Sequence, residues 1–330
     1  MYILMRNLPQ ISEKRFQWLY LENPVGPATC LLVQNDRSNE IVGCASLFPR
    51  MMKVKGKEVL AGIAGDFAIN KEIRGYLGIR LQRELITYSK REFDFLYGFP
   101  NKLSESVQLK SGYKNVGKIT RIAKLLKANQ KLKEKYNPFI ARIVSPGINH
   151  FLKLFSPERK MKGETKFREE HPSFFDHRFD ELWERVCGKF QIVGFRDSNY
   201  LNWKYAKNPG IKYKIFSITD NEKRNILGYV VYYIQEKICF IADLLSIRGP
   251  EIWDSLLGHF LLYLQEIKKA NSVSSIFLGK QKTLKDFRNF RFYERAEEHS
   301  FIVYFGQSSS LNQEFIDPEK WYIFDGDRDI

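Results

Sequence analysis

The apolar positions of the chain follow two different periods, and these periods predict an alternation of strands and helices. Short apolar runs bounded by polar turns predict two strand pairs, CLLVQN with EIVGCASL and KIFSIT with NILGYVVYY. From Glu251 to Ala270 the apolar residues instead recur at steps of three and four, which predicts an amphipathic helix. The chain of 330 residues therefore reads as α/β, with a mixed sheet.

The same succession of elements occurs twice. FQWLYLENPVGP and YLNWKYAKNPGI share the motif W-x-Y-x-x-N-P. In each copy 25 residues separate the tryptophan from a strand glycine, Trp18 from Gly43 and Trp203 from Gly228. An acid in an apolar strand, a helix, another apolar strand and a short helix follow each time. Agreement in motif, spacing and order predicts an internal duplication, with the Trp and Tyr of each copy packing a helix onto its sheet.

Composition excludes several classes of protein. The chain is 44% hydrophobic and 15% aromatic, so it can bury cores and is not disordered. Its apolar runs fall short of the ~20 residues of a membrane span, and its start lacks the pattern of a signal peptide. Four scattered cysteines without CxxC and five histidines without HExxH indicate reduced thiols and no metal site. We expect a cytoplasmic protein.

The formal net charge of +15 indicates an acidic partner, and the charge is concentrated in one segment. Residues 118–168 contain fourteen Lys/Arg and three Glu. Within it, residues 139–155 read as a helix or two interrupted by SPG, with a broad apolar face. This pattern fits either peripheral contact of residues 127–168 with an anionic membrane or an inter-domain helix with a solvated basic side. No nucleic-acid motif is evident, so we expect no nucleic-acid partner.

The order of elements resembles the GCN5-related N-acetyltransferase (GNAT) superfamily, in two tandem copies. Segments such as GDFAI…RG, YGFPN…SGY and RDSNYLNWKY are similar to those of bacterial tandem-GNAT acetyltransferase-like proteins. The resemblance implies two GNAT-like acyl-CoA N-acyltransferase domains, at 1–126 (short at its N-terminal side) and 173–330, joined by a basic helical linker at 127–172. It also implies an acyl-CoA co-substrate, with acetyl-CoA the expected donor.

The turn after the first acidic strand, GDFAINKEIRGYLGIR, is the candidate cofactor site. It places glycines between a strand and a helix, where free N–H groups suit a pyrophosphate. It departs from the family turn R/Q-x-x-G-x-G/A, because the second glycine comes one place late. The resemblance implies that the strand also lends backbone groups to the pantetheine arm. The site residues so implied are Phe67, Ala68, Ile69, Arg74, Gly75, Tyr76, Gly78, Ile79 and Arg80.

Asp66 is the carboxylate nearest this turn and the candidate general base, acting directly or through water. The alternative is a strand-end aspartate that pairs with a basic neighbour. Many family members place a tyrosine, as acid for the leaving thiolate, at the position of Gln108, and glutamine cannot act as a general acid. Either Tyr113, Tyr97 or Tyr76 replaces it, or the thiolate takes its proton from water.

Asn101 and Ser104 follow the next strand in GFPNKLSES. They either cap the following helix or, with Tyr97, contact the acceptor. In the second copy the turn reads IRGPEIW, and Pro250 has no N–H to offer an anion. We therefore expect that the second copy binds no acyl-CoA, supports the first copy and walls the acceptor cleft.

The resulting hypothesis is an acyl-CoA-dependent N-acyltransferase. Its expected acceptor is a small-molecule or lipid-linked amine, such as an amino sugar or a cell-envelope precursor. Two alternatives remain open at this point. One is a catalytically inactive tandem-GNAT binding or scaffold protein, and the other is an aminoacyl transferase of the Fem type, which takes aminoacyl-tRNA.

Overall fold

A computed structural model provides the structure of the protein. It describes residues 13–73, 75–128, 137–222, 224–247, 249–295, 299–306 and 314–328, with residues 138–143 described in their backbone only. The helices are α1 (Glu13–Phe16), α2 (Tyr76–Ser89), α3 (Lys102–Ser111), α4 (Pro138–Leu154), α5 (His177–Cys187), α6 (Ser198–Leu201), α7 (Pro250–Ile267) and α8 (Gln281–Asn289). The π-helical turns Gln17–Leu21 and Asn202–Ala206 continue α1 and α6.

Fifteen strands form one mixed sheet in the described part of the chain. The strands are β1 (Thr29–Gln34), β2 (Ile41–Val54), β3 (Lys57–Ile69), β4 (Phe95–Gly98), β5 (Lys114–Lys118), β6 (Thr120–Leu125), β7 (Arg168–Glu170), β8 (Ile192–Gly194), β9 (Lys214–Thr219), β10 (Ile226–Gln235), β11 (Ile238–Ser246), β12 (Ser272–Gly279), β13 (Tyr293–Arg295), β14 (Ser300–Phe305) and β15 (Trp321–Phe324).

Each copy contributes an antiparallel hairpin followed by a parallel pair. In the first copy β2 and β3 form the hairpin and β3 pairs in parallel with β4. In the second copy β10 and β11 form the hairpin and β11 pairs in parallel with β12. The register repeats as well, because Asp66 and Asp243 each lie three residues before the partner of the repeat glycine, Gly43 or Gly228. The two acids predicted from the repeat are thus structurally equivalent.

The two copies exchange their last strands. β6 leaves the first copy and pairs antiparallel with β12 and β13 of the second. β14 leaves the second copy and pairs antiparallel with β4 and β5 of the first. The proposed domain ranges follow chain order, whereas the sheet of each copy is completed by a strand from the other. Neither copy therefore closes its sheet alone.

The helices cover the sheet with the faces that their periodicity predicts. On α7 the apolar positions Leu256, Leu257, Phe260, Leu261 and Leu264 are fully buried. α4 differs from the prediction of a break at SPG, since it is one helix from Pro138 to Leu154. A helical proline removes one backbone hydrogen bond, and here the turns on both sides keep their helical form.

The duplicated motif lies where the two copies meet. Trp18 and Trp203 stack with ring centres 5.0 Å apart. Nε1 of Trp18 donates a hydrogen bond to the carbonyl oxygen of Trp203 at 2.8 Å, and Nε1 of Trp203 donates to the carbonyl oxygen of Trp18 at 3.0 Å. The tryptophans therefore bind the opposite copy, in addition to packing a helix onto a sheet. This reciprocal contact explains why the chain needs the motif twice.

We expect Trp18→Phe and Trp203→Phe to destabilise the protein by about 1–3 kcal/mol each, because each change leaves a buried carbonyl without its donor. The double variant should lose less free energy of unfolding than the two single variants lose together, by about 0.5 kcal/mol or more, since both residues belong to one contact. Urea unfolding of the unchanged protein, the two single variants and the double variant measures this coupling. Trp253→Phe is the control, because the Trp253 indole N–H has no hydrogen-bond partner among the described residues. Additive losses would contradict the reciprocal contact.

Candidate functional site

β3 extends beyond the end of its parallel partner β4. The pairing runs from Ala61 opposite Phe95 to Ala64 opposite Gly98, where β4 ends. Residues 65–69 continue beyond this point and pair with β2 on their other side. These five residues are half-buried. Backbone groups along a free strand edge can pair with an extended ligand as with an additional strand.

In the second copy β15 takes up part of the corresponding gap, beside a cavity of about 370 Å³ that Ser246, Gly249 and Tyr322 help to line. β11 and β12 pair in parallel only as far as Ile241. Beyond it, β15 pairs with residues 277–279 of β12 on the edge away from β6. Tyr322 Oη also donates a hydrogen bond to the carbonyl oxygen of Leu244 at 2.7 Å, which ties β15 to β11. The end of β11 is consequently buried, whereas the equivalent end of β3 is half-buried.

Helix α2 begins at the mouth of the open gap. Its N-cap is Gly75, with φ of 105°, a conformation that L side chains rarely adopt. No described side chain caps this helix end, and a Cβ added at Gly75 would meet nothing within 4 Å. Of the other predicted cofactor residues, Tyr76 and Arg80 are exposed and Ile79 is half-buried. Arg74 lies outside the described residues.

Gly78 has a different role from Gly75. It is buried in the first turn of α2, and a Cβ added there would lie 3.4 Å from side-chain atoms of Phe67, Ile69 and Val107. The glycine thus lets α2 approach both the end of β3 and helix α3. Ala68, the remaining predicted strand residue, pairs with Cys44 of β2.

Asp66 lies at a bulge of β3, where one extra residue separates the pairs that β3 makes with β2. Its φ of 44° is left-handed, a conformation that aspartate tolerates better than most residues. Oδ2 accepts hydrogen bonds from Nη1 of Arg15 at 3.1 Å and from Tyr20 Oη at 2.7 Å, and Oδ1 accepts from Nη2 of Arg15 at 3.3 Å. The carboxylate is therefore paired with a basic neighbour, and Oδ1 accepts from fewer donors than Oδ2.

Tyr20 is a site residue that the sequence reasoning missed. Its Oη is 2.9 Å from Ser46 Oγ as well as 2.7 Å from Asp66. Burial, and then the negative charge of Asp66, raise the pKa of this phenol above its usual range, so it stays protonated. The repeat held the signal, because Tyr20 is the tyrosine of the first W-x-Y-x-x-N-P.

The remaining predicted residues have structural surroundings of their own. Tyr97 is fully buried, and its Oη donates to the carbonyl oxygen of Asp327 at 3.4 Å. Tyr113 is buried with an Oη that has no hydrogen-bond partner among the described residues, and burial raises the pKa of this phenol. Asn101 caps α3, since its side chain accepts from the backbone N–H groups of Leu103 and Ser104 at 3.0 Å each. Their catalytic and acceptor roles stay predictions.

The known proteins that match this chain are solved structures. No protein-family model and no curated protein sequence matches the chain. A probable N-acyltransferase of unknown function from Enterococcus faecalis V583 has a TM-score of 0.61 at 14% identity, over 92% of this chain and 67% of its own. A GCN5-related N-acetyltransferase from Anabaena variabilis gives a TM-score of 0.63 at 14% identity, over 92% and 67%.

A third solved structure is the Saccharomyces cerevisiae N-myristoyltransferase with bound myristoyl-CoA. Its TM-score is 0.56 at 12% identity, over 89% of this chain and 74% of its own. These likenesses confirm the predicted mixed α/β fold, which is that of GNAT-like acyltransferases. Among the described residues, no group of side chains could hold a metal ion, and no helix has the length and hydropathy to cross a bilayer.

Proposed function

We propose that the protein is an acyl-CoA-dependent N-acyltransferase whose donor site is the open gap between β3 and β4. The observation that carries the proposal is the difference between the copies. Residues 65–68 of β3 are half-buried and lie beyond the last pair that β3 makes with β4, whereas β15 occupies the equivalent gap of the second copy. The solved structures with this fold are named as N-acyltransferases or carry an acyl-CoA.

The parts of the gap suit the parts of an acyl-CoA. The edge of residues 65–68 beyond the end of β4 offers backbone donors and acceptors to the amide groups of pantetheine. The N-terminus of α2 at Gly75 offers N–H groups and a positive dipole end to the pyrophosphate. Arg74 directly precedes Gly75 in the sequence. The second copy, where β15 lies in the gap and Pro250 offers no N–H at the start of α7, is proposed to hold no acyl-CoA and to support the first copy by its exchanged strand.

The reaction needs a neutral amine, and the departing CoA thiolate takes its proton from water. Asp66 lies at the end of the open edge and is the proposed base, which takes the amine proton at Oδ1 directly or through water. Tyr20 stays protonated beside Asp66 and holds Oδ2, so that Oδ1 is the oxygen left for the acceptor. Attack of an amine on a thioester depends largely on positioning, which the ordered edge supplies.

The donor and the acceptor of the reaction are also proposed. Acetyl-CoA is the proposed donor, and the acceptor is an amine on a small molecule or a lipid-linked sugar, such as a cell-envelope precursor. The proposed location is the cytoplasm, where acyl-CoA is made. The four cysteines are free thiols, as the reducing cytoplasm maintains them.

Binding of the donor is the first test. A ligand present at 1,000 times its Kd stabilises a protein by about 4 kcal/mol, so a micromolar ligand at millimolar concentration should raise the melting temperature by several degrees. We expect this rise with acetyl-CoA and with free CoA. No rise with either ligand would overturn the proposal and favour a scaffold protein. Acyl transfer that requires aminoacyl-tRNA would favour the Fem-type alternative.

The pairing of Asp66 with Arg15 gives a test of the base. We expect Asp66→Asn to lower kcat/KM by about 10²–10⁴ with the best amine found by screening, while the Kd of acetyl-CoA stays the same. Arg15→Gln removes the same ion pair but keeps the carboxylate, so it should retain at least about a tenth of the activity. Release of free CoA measures both. Equal losses in the two variants would show that Asp66 only pairs with Arg15.

A further inference from the structure

Helix α4 carries a group of exposed apolar side chains that face solvent together. Val144, Phe151, Leu154 and Phe155 are between 42 and 56% exposed. The steps of seven and four between Val144, Phe151 and Phe155 place these three on one side of the helix. The rings of Phe151 and Phe155 are 4.4 Å apart, and none of the four joins the buried clusters of the described core. We call these four residues the α4 patch.

Cationic side chains border the α4 patch. A groove of about 550 Å³ runs between the end of α4 and the end of α7. Lys153, Arg159, Lys162 and Lys268 line it together with His150, and Glu266 is the acidic residue in its lining. Lys160 is exposed on the turn that follows α4. The surface therefore combines an apolar centre with a strongly positive border.

The α4 patch is held in place by contacts in the C-terminal half of the helix and in the turn that follows it. Asn149 Oδ1 accepts a hydrogen bond from the backbone N–H of Ala128 at 2.8 Å. Just past the helix, the fully buried Glu158 pairs with Lys124 Nζ at 2.7 Å and accepts from Gln265 Nε2 at 2.7 Å. Breaking such a buried pair is costly, so the turn after α4 stays docked on α7. The exposure of the patch is thus built into the fold.

We propose that this surface docks on an anionic lipid membrane. The apolar side chains would enter the boundary between headgroups and acyl chains, and the groove would receive anionic headgroups. The two phenylalanines contact each other instead of alternating with the cations, which favours a lipid surface over a single-stranded nucleic acid. This inference does not depend on the acyl-transfer reaction. If that reaction holds, membrane docking would bring the site to a lipid-linked amine.

Co-sedimentation of the full chain with vesicles tests the proposal. We expect binding to vesicles that contain about one-third phosphatidylglycerol, weak binding to pure phosphatidylcholine, and loss of binding at high salt. Phe151→Ser with Phe155→Ser should lower the partition coefficient at least about tenfold. Lys153→Gln with Lys162→Gln should lower it about fivefold for each charge removed.

Two controls distinguish membrane docking from unspecific effects of the substitutions. Phe174 is 59% exposed and lies outside the α4 patch, so Phe174→Ser should bind vesicles like the unchanged protein. All variants should keep their melting temperature, because the changed side chains are exposed. Equal binding to neutral and anionic vesicles would overturn the proposal, as would release by millimolar inorganic phosphate. A dimer that the Phe151→Ser, Phe155→Ser variant dissociates, or stronger binding to nucleic acid than to vesicles, would also overturn it.

Discussion

Replacing Asp327 with alanine is expected to lower the free energy of unfolding by about 3–5 kcal/mol. Asp327 lies between two fully buried guanidinium groups, with Oδ1 3.3 Å from Arg50 Nη2 and Oδ2 2.7 Å from Arg196 Nη2. Arg196 also pairs with Asp243 at 3.0 Å, so two positive and two negative groups balance in the interior. Without Asp327, two buried cations share one carboxylate. Urea unfolding of the purified variant measures the loss.

A matched control variant and a double variant test whether the loss comes from the buried charges. Asp325 belongs to the same short turn, but its ion pair with Arg328 is partly exposed, so Asp325→Ala should cost about 1 kcal/mol or less. The pair of changes Arg50→Met and Asp327→Leu removes one charge of each sign and should recover most of the loss. A cost of Asp327→Ala no larger than that of Asp325→Ala would show that the buried charges do not hold β15 in place.

Replacing Gly75 with tryptophan is expected to abolish stabilisation by acyl-CoA, a loss of about 4 kcal/mol at millimolar ligand. The indole would stand in the open space at the N-terminus of α2, where the pyrophosphate is proposed to bind. The positive φ of Gly75 also makes the substitution strained, so the variant melts earlier in the absence of ligand. The measured quantity is therefore the difference in melting temperature with and without acetyl-CoA for the same protein.

Gly56→Trp is the control for that strain. Gly56 has φ of 81°, and a Cβ added there also meets nothing within 4 Å, but it lies in the hairpin between β2 and β3. We expect Gly56→Trp to lower the melting temperature and to keep the full rise with acetyl-CoA. If both glycine variants lose the rise, the effect comes from strain. If Gly75→Trp keeps the rise, the donor binds elsewhere.

Part of the site was predictable because it depends on the local pattern of residues in the sequence. Gly75 and Gly78 follow a strand and open a helix, and that order alone placed them at a βα turn. Asp66 was predictable as an acid at the end of an apolar strand, since alternation sets strand position. Its partners were not predictable. Arg15 of α1 and Tyr20 of the π-helical turn after it reach Asp66 only in the folded protein, across about fifty residues of sequence.

The burial of Tyr97 was likewise not predictable from the local sequence. Tyr97 sits in an apolar strand beside the proposed gap, which made it a reasonable acceptor residue. In the structure Trp321 of β15 and Phe301 of β14 cover its ring, and its Oη meets the carbonyl oxygen of Asp327. Both covering strands come from the far end of the chain, so no local pattern around Tyr97 indicates its surroundings.

From the sequence we could predict two similar successions of strands and helices, the buried face of α7 and the corresponding positions of Asp66 and Asp243. Periodicity and spacing encode these features, because they decide which side of each element is apolar. The tertiary structure alone decided the exchange of β6 and β14 and the insertion of β15 into the second gap. Strand neighbours are joined by backbone hydrogen bonds, which every residue except proline can form, so side-chain patterns do not specify the partner.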